Sequence, residues 1–320
     1  MKYLRRYLYI YLKGQRSLEI FSILPVHKNI LWINMSAPSL GDSLMDLSSR
    51  SLLKGKNIDL FTDVKNAHIY EDDLFLNNIY TKILNINQLK YDLVVIDSFS
   101  TRSIKVKSKV APKTSYVGMF GYFNGPEVNR TLFSFYQMNN LLGSYKSENE
   151  IKTLARNSLT ISEVDKNIVQ SIIPQKYISF VLGGEWSYRT YEKWGEVISK
   201  IISDNKQEHI IFLGSKNAKN SAEMILKFHP HSNIFNLVDK LSFNQTAEVL
   251  KKSIVVFCCD GGLMHAANAV NAKNIILFAR KVPALLLTEN SDSTNLYDDK
   301  DVNNIPSEAI LSAYYEIIAS

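Results

Sequence analysis

The sequence predicts an α/β chain of two doubly wound halves, each built on a parallel sheet. Three observations lead there. Short β-branched runs end at glycine or a small polar residue and are followed by amphipathic helical patterns, the signature of βα units. That plan occurs in both halves of the chain. A length of 320 residues with 46% hydrophobic content also fits two domains with ordinary cores.

In the first half, residues 29–34 (NILWIN) read as a strand, 35–41 as a loop and 42–54 as a helix, with further strands at 57–61 and 91–96. Polar residues dominate 144–152. The boundary falls between that stretch and about residue 171, dividing the chain into residues 1–155 and 156–305. The second half reads as a strand at 177–182, a helix at 191–203, a strand at 209–213 and a helix at 218–227. A short helix lies within 237–252, and 254–258 is a continuous apolar strand of the kind buried on both faces. A helix at 263–270 leads to a strand at 274–278, and 306–319 reads as a final helix with Pro306 near its start. Before all of these, Lys2, Arg5, Arg6, Lys13 and Arg16 alternate with Tyr3, Tyr7, Tyr9 and Tyr11. This opening suits an anionic lipid interface or a surface helix packed through its tyrosines, and both readings stay open.

Thirty-seven Lys and Arg stand against 31 Asp and Glu, a net charge of +6. The excess suits anionic substrates or an anionic membrane face, and no nucleic-acid motif accompanies it, so no nucleic-acid partner is expected. Cys258 and Cys259 are adjacent, a spacing for neither a disulfide framework nor a metal site. No apolar run reaches the ~18 residues of a membrane span, and the charged opening does not make a signal peptide. A cytoplasmic location is expected. His229 and His231 lack neighbouring carboxylates or thiols and read as loop residues, so no metal is expected. No GxGxxG follows a strand and no GxxxxGK[ST] is present, which argues against nicotinamide chemistry and P-loop phosphoryl transfer.

Three turns carry candidate chemistry. In the first, the apolar strand breaks into Asp260-Gly261-Gly262 directly before a helix. Two glycines admit a phosphate to the backbone, and the free N–H groups of the helix start point at it. His265 lies in the first helical turn, beside Leu263. Asp260 as a plain helix cap is the competing reading. The second turn, VLGGEWSYRTYEKW (181–194), places Arg189 and Lys193 on one helical face, where a cation would offset leaving-group charge. A solvated basic face with Trp186 and Trp194 packed inward is the alternative. The third, NMSAPSLGD (34–42), puts Asp42 at a helix start on the carboxyl side of a strand, where ligands of parallel sheets collect. A carboxylate there is a candidate general base or a routine cap. Asp46, one turn later, shares the role or binds acceptor.

These turns, in this order, resemble glycosyltransferase family 9, best known for the ADP-heptose:lipopolysaccharide heptosyltransferases. LGDSLMDLSSRSLLK (40–54) is similar to the family's amino-terminal Gly-Asp loop and helix, DGGLMH (260–265) to its donor motif, and FLGS (212–215) to its strand-Gly turn. NLVDKLSF (236–243) falls where the family has a turn near the nucleotide base. The resemblance implies a GT-B fold: two Rossmann-like domains with parallel sheets facing a central cleft, and a carboxy-terminal helix (306–320) packing back on the amino-terminal domain. It implies metal-independent, inverting transfer from a nucleotide sugar, ADP-heptose above all, to a lipopolysaccharide core or related surface glycan. No cofactor is implied. Asp42 would be the base. Ser187, Tyr188, Arg189, Lys193, Gly214, Leu241, Asp260, Gly261, Gly262, Leu263 and His265 would hold the donor, and Gly41, Asp46 and Arg130 the acceptor. Irregular segments such as 117–125 are further acceptor candidates.

Two departures bear on the donor. The family's Lys two residues before the helix Trp is Glu192 here, with Lys193 one residue late, and the acidic residue after Gly214 is replaced by Lys216, Asn217, Ala218 and Lys219. A UDP- or GDP-sugar donor, or a non-catalytic binding protein, are the readings these departures favour. A GT-B epimerase lacks a matching acid–base pair in the carboxy-terminal half. The expected partners are thus a nucleotide-sugar donor and a glycolipid or saccharide acceptor, with peripheral contact at the inner face of the cytoplasmic membrane.

Overall fold

A computed structural model describes residues 2–87, 90–123, 125, 127–230 and 233–319. The chain forms two compact units, Met1–Thr160 with Thr288–Asn290, and Ile161–Leu287 with Ser291–Ser320.

The first unit runs α1 (Lys2–Leu12), β1 (Asn29–Asn34), α2 (Leu40–Asp46), β2 (Asn57–Thr62), α3 (Val64–Ala67), β3 (Asn78–Tyr80), β4 (Leu93–Ser98), α4 (Thr101–Val110), β5 (Tyr116–Gly121), α5 (Arg130–Leu141) and α6 (Glu148–Leu154). Its sheet has the order β3-β2-β1-β4-β5, parallel throughout. The strand order reverses between β1 and β4, so the carboxyl ends of these two strands form the crevice where such sheets take ligands. Leu31, Ile33, Val94 and Ile96 are fully buried and anchor the core, which explains why β1 and β4 read as continuous apolar runs.

Two expectations change here. Residues 117–125 were expected to be irregular, yet Tyr116–Gly121 is an ordered strand. Its glycines hid it: a Cβ on Gly118 would sit 2.5 Å from the Phe99 ring, so close packing requires glycine there. Asn124 lies outside the described residues. The helix expected at 42–54 breaks after Asp46 into a 3-10 segment, Ser48–Leu53. Ser48 Oγ donates to the Met45 carbonyl at 2.7 Å, the local competition that bends serine-rich helices. The tightened turn delivers Arg50, fully buried, to Asp73 (Nη2···Oδ2 2.5 Å) and to the carbonyls of Leu47 and Ser158.

The second unit runs α7 (Glu163–Gln170), β6 (Ile178–Val181), α8 (Trp194–Asp204), β7 (Ile210–Leu213), α9 (Lys219–Phe228), β8 (Ile234–Asn236), α10 (Phe243–Lys252), β9 (Val256–Cys259), α11 (Gly262–Ala269), β10 (Asn274–Ala279), β11 (Ser293–Asp298) and α12 (Ser307–Ala319). The parallel sheet has the order β11-β10-β9-β6-β7-β8, and the reversal lies between β9 and β6. Phe180 stacks on Phe257 at 4.3 Å, with Trp194 edge-on to Phe180. Ile310, Ala313 and Tyr314 of α12 are buried in this same core. The helix expected to return to the amino-terminal half therefore turns its apolar face to α8 and the second sheet. Cys258 and Cys259 are buried free thiols.

Candidate active site

In the first unit, the end of β1 is clamped by the end of β4. The Asp97 carboxylate accepts from the backbone N–H groups of Met35 and Ser36 at 2.8 and 2.6 Å, and from Ser98 N–H and Ser103 Oγ. Burial pushes its carboxyl up from the usual range against the pull of these four donors. The clamped loop leads to Ser39, which caps α2 by accepting from Asp42 N–H, while its hydroxyl donates to Asp42 Oδ2 at 2.5 Å. The cap is therefore Ser39, and the Asp42 side chain is released from that duty.

Asp42 turns to Arg130, the first residue of α5: Arg130 Nη1 donates to Asp42 Oδ1 at 3.0 Å. The same guanidinium grips Asp46 with two bonds, Nε to Oδ1 at 2.8 Å and Nη2 to Oδ2 at 2.5 Å. A cation at a helix start opposes the helix dipole, and the two carboxylates offset that cost. The Asp42 and Arg130 side chains stay 22% and 30% exposed, whereas Asp46 is 2% exposed. Asp46 was expected to share the base role or to bind acceptor. Its carboxylate is buried with both oxygens on Arg130, an arrangement suited to orienting that guanidinium. Burial pushes the Asp46 carboxyl up to about 7, with Arg130 pulling the other way. Gly41 is buried in the first turn of α2.

In the second unit, the turns after β6 and β9 meet at the strand-order reversal. Arg189 Nη1 donates to Asp260 Oδ2 at 2.7 Å, and Arg189 Nε is buried with no hydrogen-bond partner among the described residues. Asp260 is therefore no helix cap. Gly261 caps α11 and supplies no side-chain bond, leaving the first N–H groups of the helix open. A Cβ on Gly262 would meet nothing within 4 Å, and one on Gly261 only the Cys259 carbonyl at 4.0 Å. The glycines thus border open space rather than a tight packing contact. Leu263 is half-buried and His265 is 5% exposed in the first turns of α11.

Ser187 and Tyr188 precede Arg189 in a single 3-10 turn. Trp194 packs inward, but Trp186 remains exposed, so the reading with both rings inward holds for one of them. The Gly183-Gly184 turn is held by Asn217, whose Nδ2 donates to the Gly184 carbonyl at 2.7 Å. Gly214, with φ +148, lies where a Cβ would be 2.6 Å from the Leu182 carbonyl. Its own carbonyl accepts from Asp239 N–H, bringing the half-buried Leu241 turn beside the end of β7.

Lys193, expected in the donor site, instead donates to the Asn303 carbonyl at 2.7 Å. The adjacent Glu192 N–H is held by Asn303 Oδ1 at 2.8 Å, and the Glu192 side chain is exposed. A cation the sequence reading missed is Arg280, which follows β10 in a left-handed conformation (φ +65) and lies 3.8 Å above the Tyr188 ring. Its signal was its position, the first residue after a fully buried strand, at the carboxyl edge of the sheet.

Among the described residues no three His, Cys, Asp or Glu side chains are grouped to hold a metal. His229 shares a hydrogen bond with Ser199 at 2.9 Å, and His231 and Ser232 lie outside the described residues. A cavity of about 320 Å³ lined by Gln170, Pro174, Tyr177 and Lys252 opens at the opposite edge, where β6 begins.

Each unit is a parallel α/β sheet with polar residues gathered at its own strand-order reversal, the place where such sheets take ligands. The family model for glycosyltransferase family 9 (heptosyltransferase) matches residues 123–299, more than half of the chain. The chain belongs to that family and is a glycosyltransferase. A family 9 glycosyltransferase from Veillonella parvula superposes with a TM-score of 0.75 at 12% identity, covering 93% of this chain and 99% of that one. The E. coli ADP-heptose lps heptosyltransferase II gives 0.70 at 17% identity, covering 91% and 98%. E. coli heptosyltransferase WaaC with ADP gives 0.70 at 14%, covering 90% and 99%. At such identities the likeness establishes the GT-B class of fold. A comparison with curated proteins finds no match.

Proposed function

We propose that this enzyme transfers a sugar with inversion and without a metal, taking heptose from ADP-heptose to a lipopolysaccharide or lipooligosaccharide core or a related surface glycan. The family and the named ligands of its structural relatives support the donor and acceptor class. The observation that carries the reading is the Asp42–Arg130–Asp46 cluster at the end of β1: a partly exposed carboxylate, freed from capping and fixed in orientation by a guanidinium.

In this mechanism Asp42 accepts the proton of the acceptor hydroxyl as its oxygen attacks the anomeric carbon. The bond from that carbon to the diphosphate oxygen breaks on the opposite face, and the diphosphate leaves with the electron pair. The open N–H groups at Gly262 and Leu263, with Arg189 and its unpartnered Nε, stabilise the departing charge. His265 contributes from the next turn, and Arg280 adds a second cation at the same edge. Ser187, Tyr188, Gly214 and Leu241 line the nucleotide, and Arg130 with Gly41 bounds the acceptor. No metal ion or other cofactor takes part, and the work is done at the cytoplasmic membrane face.

Asp42→Asn tests this. It should lower transfer by about 10²–10⁴-fold while ADP binds as before; full turnover in that variant would overturn the assignment. A UDP- or GDP-sugar donor is a second reading, favoured by the exposed Glu192 and the diverted Lys193. Transfer measured across a donor panel separates the two.

A further inference from the structure

We infer that α1 is an interfacial anchor that lies flat on an anionic phospholipid surface, with its apolar face inserted. This deepens the membrane-face part of the proposed function, and it does not depend on which donor is used. A surface helix of a soluble domain turns its apolar stripe inward. In α1 the arrangement is reversed. Tyr3, Leu4, Tyr7, Leu8, Tyr11 and Leu12 recur at i, i+1, i+4 and i+5, the spacing of one broad helical face, and all six are exposed; Leu12 is 77% exposed.

The flank of this face that carries Ile10, about one turn on from Tyr7 and two from Tyr3, is fixed to the first unit, and the Tyr3 ring meets the Tyr122 ring at 4.7 Å. Ile10 is fully buried, and Gln15, just beyond the helix, is held by Lys107 Nζ at 2.5 Å and donates to the Pro112 carbonyl at 3.2 Å. Ile20 N–H then pairs with the Tyr116 carbonyl of β5 at 2.8 Å. The outward face is therefore set by the fold, not by a loose tail.

Charge identifies the occupant. Residues 1–28 and 98–126, which supply α1 and the α4–β5 segment it packs on, contain eleven Lys and Arg and one acid, Glu19. Glu19 is paired with Arg16. The whole chain has only six more basic than acidic residues, so the rest is net negative and the positive field is concentrated here. Arg5, Lys13, Lys105 and Lys113 are exposed. Leucines and tyrosines flanked by cations match the boundary between acyl chains and anionic headgroups. With eleven residues the helix cannot cross a bilayer, and no described helix is long and apolar enough to do so.

Flotation of the purified protein tests the anchor, using vesicles of phosphatidylcholine alone and of phosphatidylcholine mixed with phosphatidylglycerol. Binding is expected to the mixed vesicles, to fall steeply with salt, and to be much weaker on the neutral ones. The triple substitution Leu4→Gln, Leu8→Gln, Leu12→Gln should weaken binding roughly a hundredfold with melting temperature and ADP binding unchanged, because these side chains are exposed. Arg5→Gln with Lys105→Gln should remove part of the preference for anionic lipid. Absent binding, equal binding to both vesicles, or unchanged binding by the triple variant would overturn the proposal. So would a dimer in sedimentation that the triple variant dissociates, since a second copy would then cover the face. Lost transfer with intact vesicle binding would count against the enzyme reading alone.

Discussion

Arg130 holds two carboxylates that differ in burial, and the difference sets their work. Asp42 is accessible, while Asp46 is buried with a carboxyl pushed up to about 7. A proton on Asp46 removes one anion from Arg130 and shifts the guanidinium towards Asp42, tying up the proposed base. Transfer should therefore fall as pH drops below about 7, and Asp46→Asn should show reduced transfer without that acidic limb. Stability runs in the other sense. Because the folded value lies above the unfolded one, Asp46 favours folding fully below the ordinary carboxylate range, and that contribution is lost as pH rises towards 7. The melting temperature of Asp46→Asn should lack this fall, and a parallel dependence in both proteins would contradict the assignment. At Arg50 the expectation concerns folding alone: Asp73→Ala strands a buried guanidinium and should cost about 3–5 kcal/mol in denaturant unfolding. That Asp42, Asp260 and Arg189 would stand in the turns and helix starts that follow strands was legible from the sequence. That Arg189 would bond Asp260, and that Arg130 would bridge Asp42 to Asp46, was not, because those pairings join residues 71, 88 and 84 positions apart.

At the scale of elements, the glycines separate a ligand cradle from a packed turn. Gly214→Ala places a Cβ against the Leu182 carbonyl in a left-handed conformation and should cost about 1–3 kcal/mol or more. Gly262→Ala meets open space at the start of α11. Its melting temperature should hold or rise slightly, because Ala is the better helix former, while ADP affinity drops as the methyl crowds the phosphate. Equal ADP affinity in that variant would reduce the Gly261-Gly262 turn to a connection. The same contrast explains what the sequence disclosed of the fold. Strands β1, β4, β9 and β10 are buried on both faces and read as unbroken apolar runs. Strands β3, β8 and β11 sit at sheet edges, where partial exposure mixes polar residues into short runs and erases the pattern. For α1 the residue pattern suits two surroundings, and its six exposed apolar side chains are the observation on which the proposed anchor rests.

At the scale of the molecule, each unit gathers its polar residues at its own strand-order reversal, and the family match falls on 123–299, taking in the whole β6–β9 turn pair. Solved structures of 12–17% identity share the fold over nearly their full length. Glu192 and the diverted Lys193 leave donor choice as the property most in need of a direct reading. Equilibrium binding of ADP, UDP, GDP and CMP, each with magnesium and with EDTA, followed by the rise in melting temperature, supplies it. The account predicts stabilisation by ADP above the other three, unchanged by EDTA. Preference for another nucleotide, or a shift that appears only with magnesium, would contradict it.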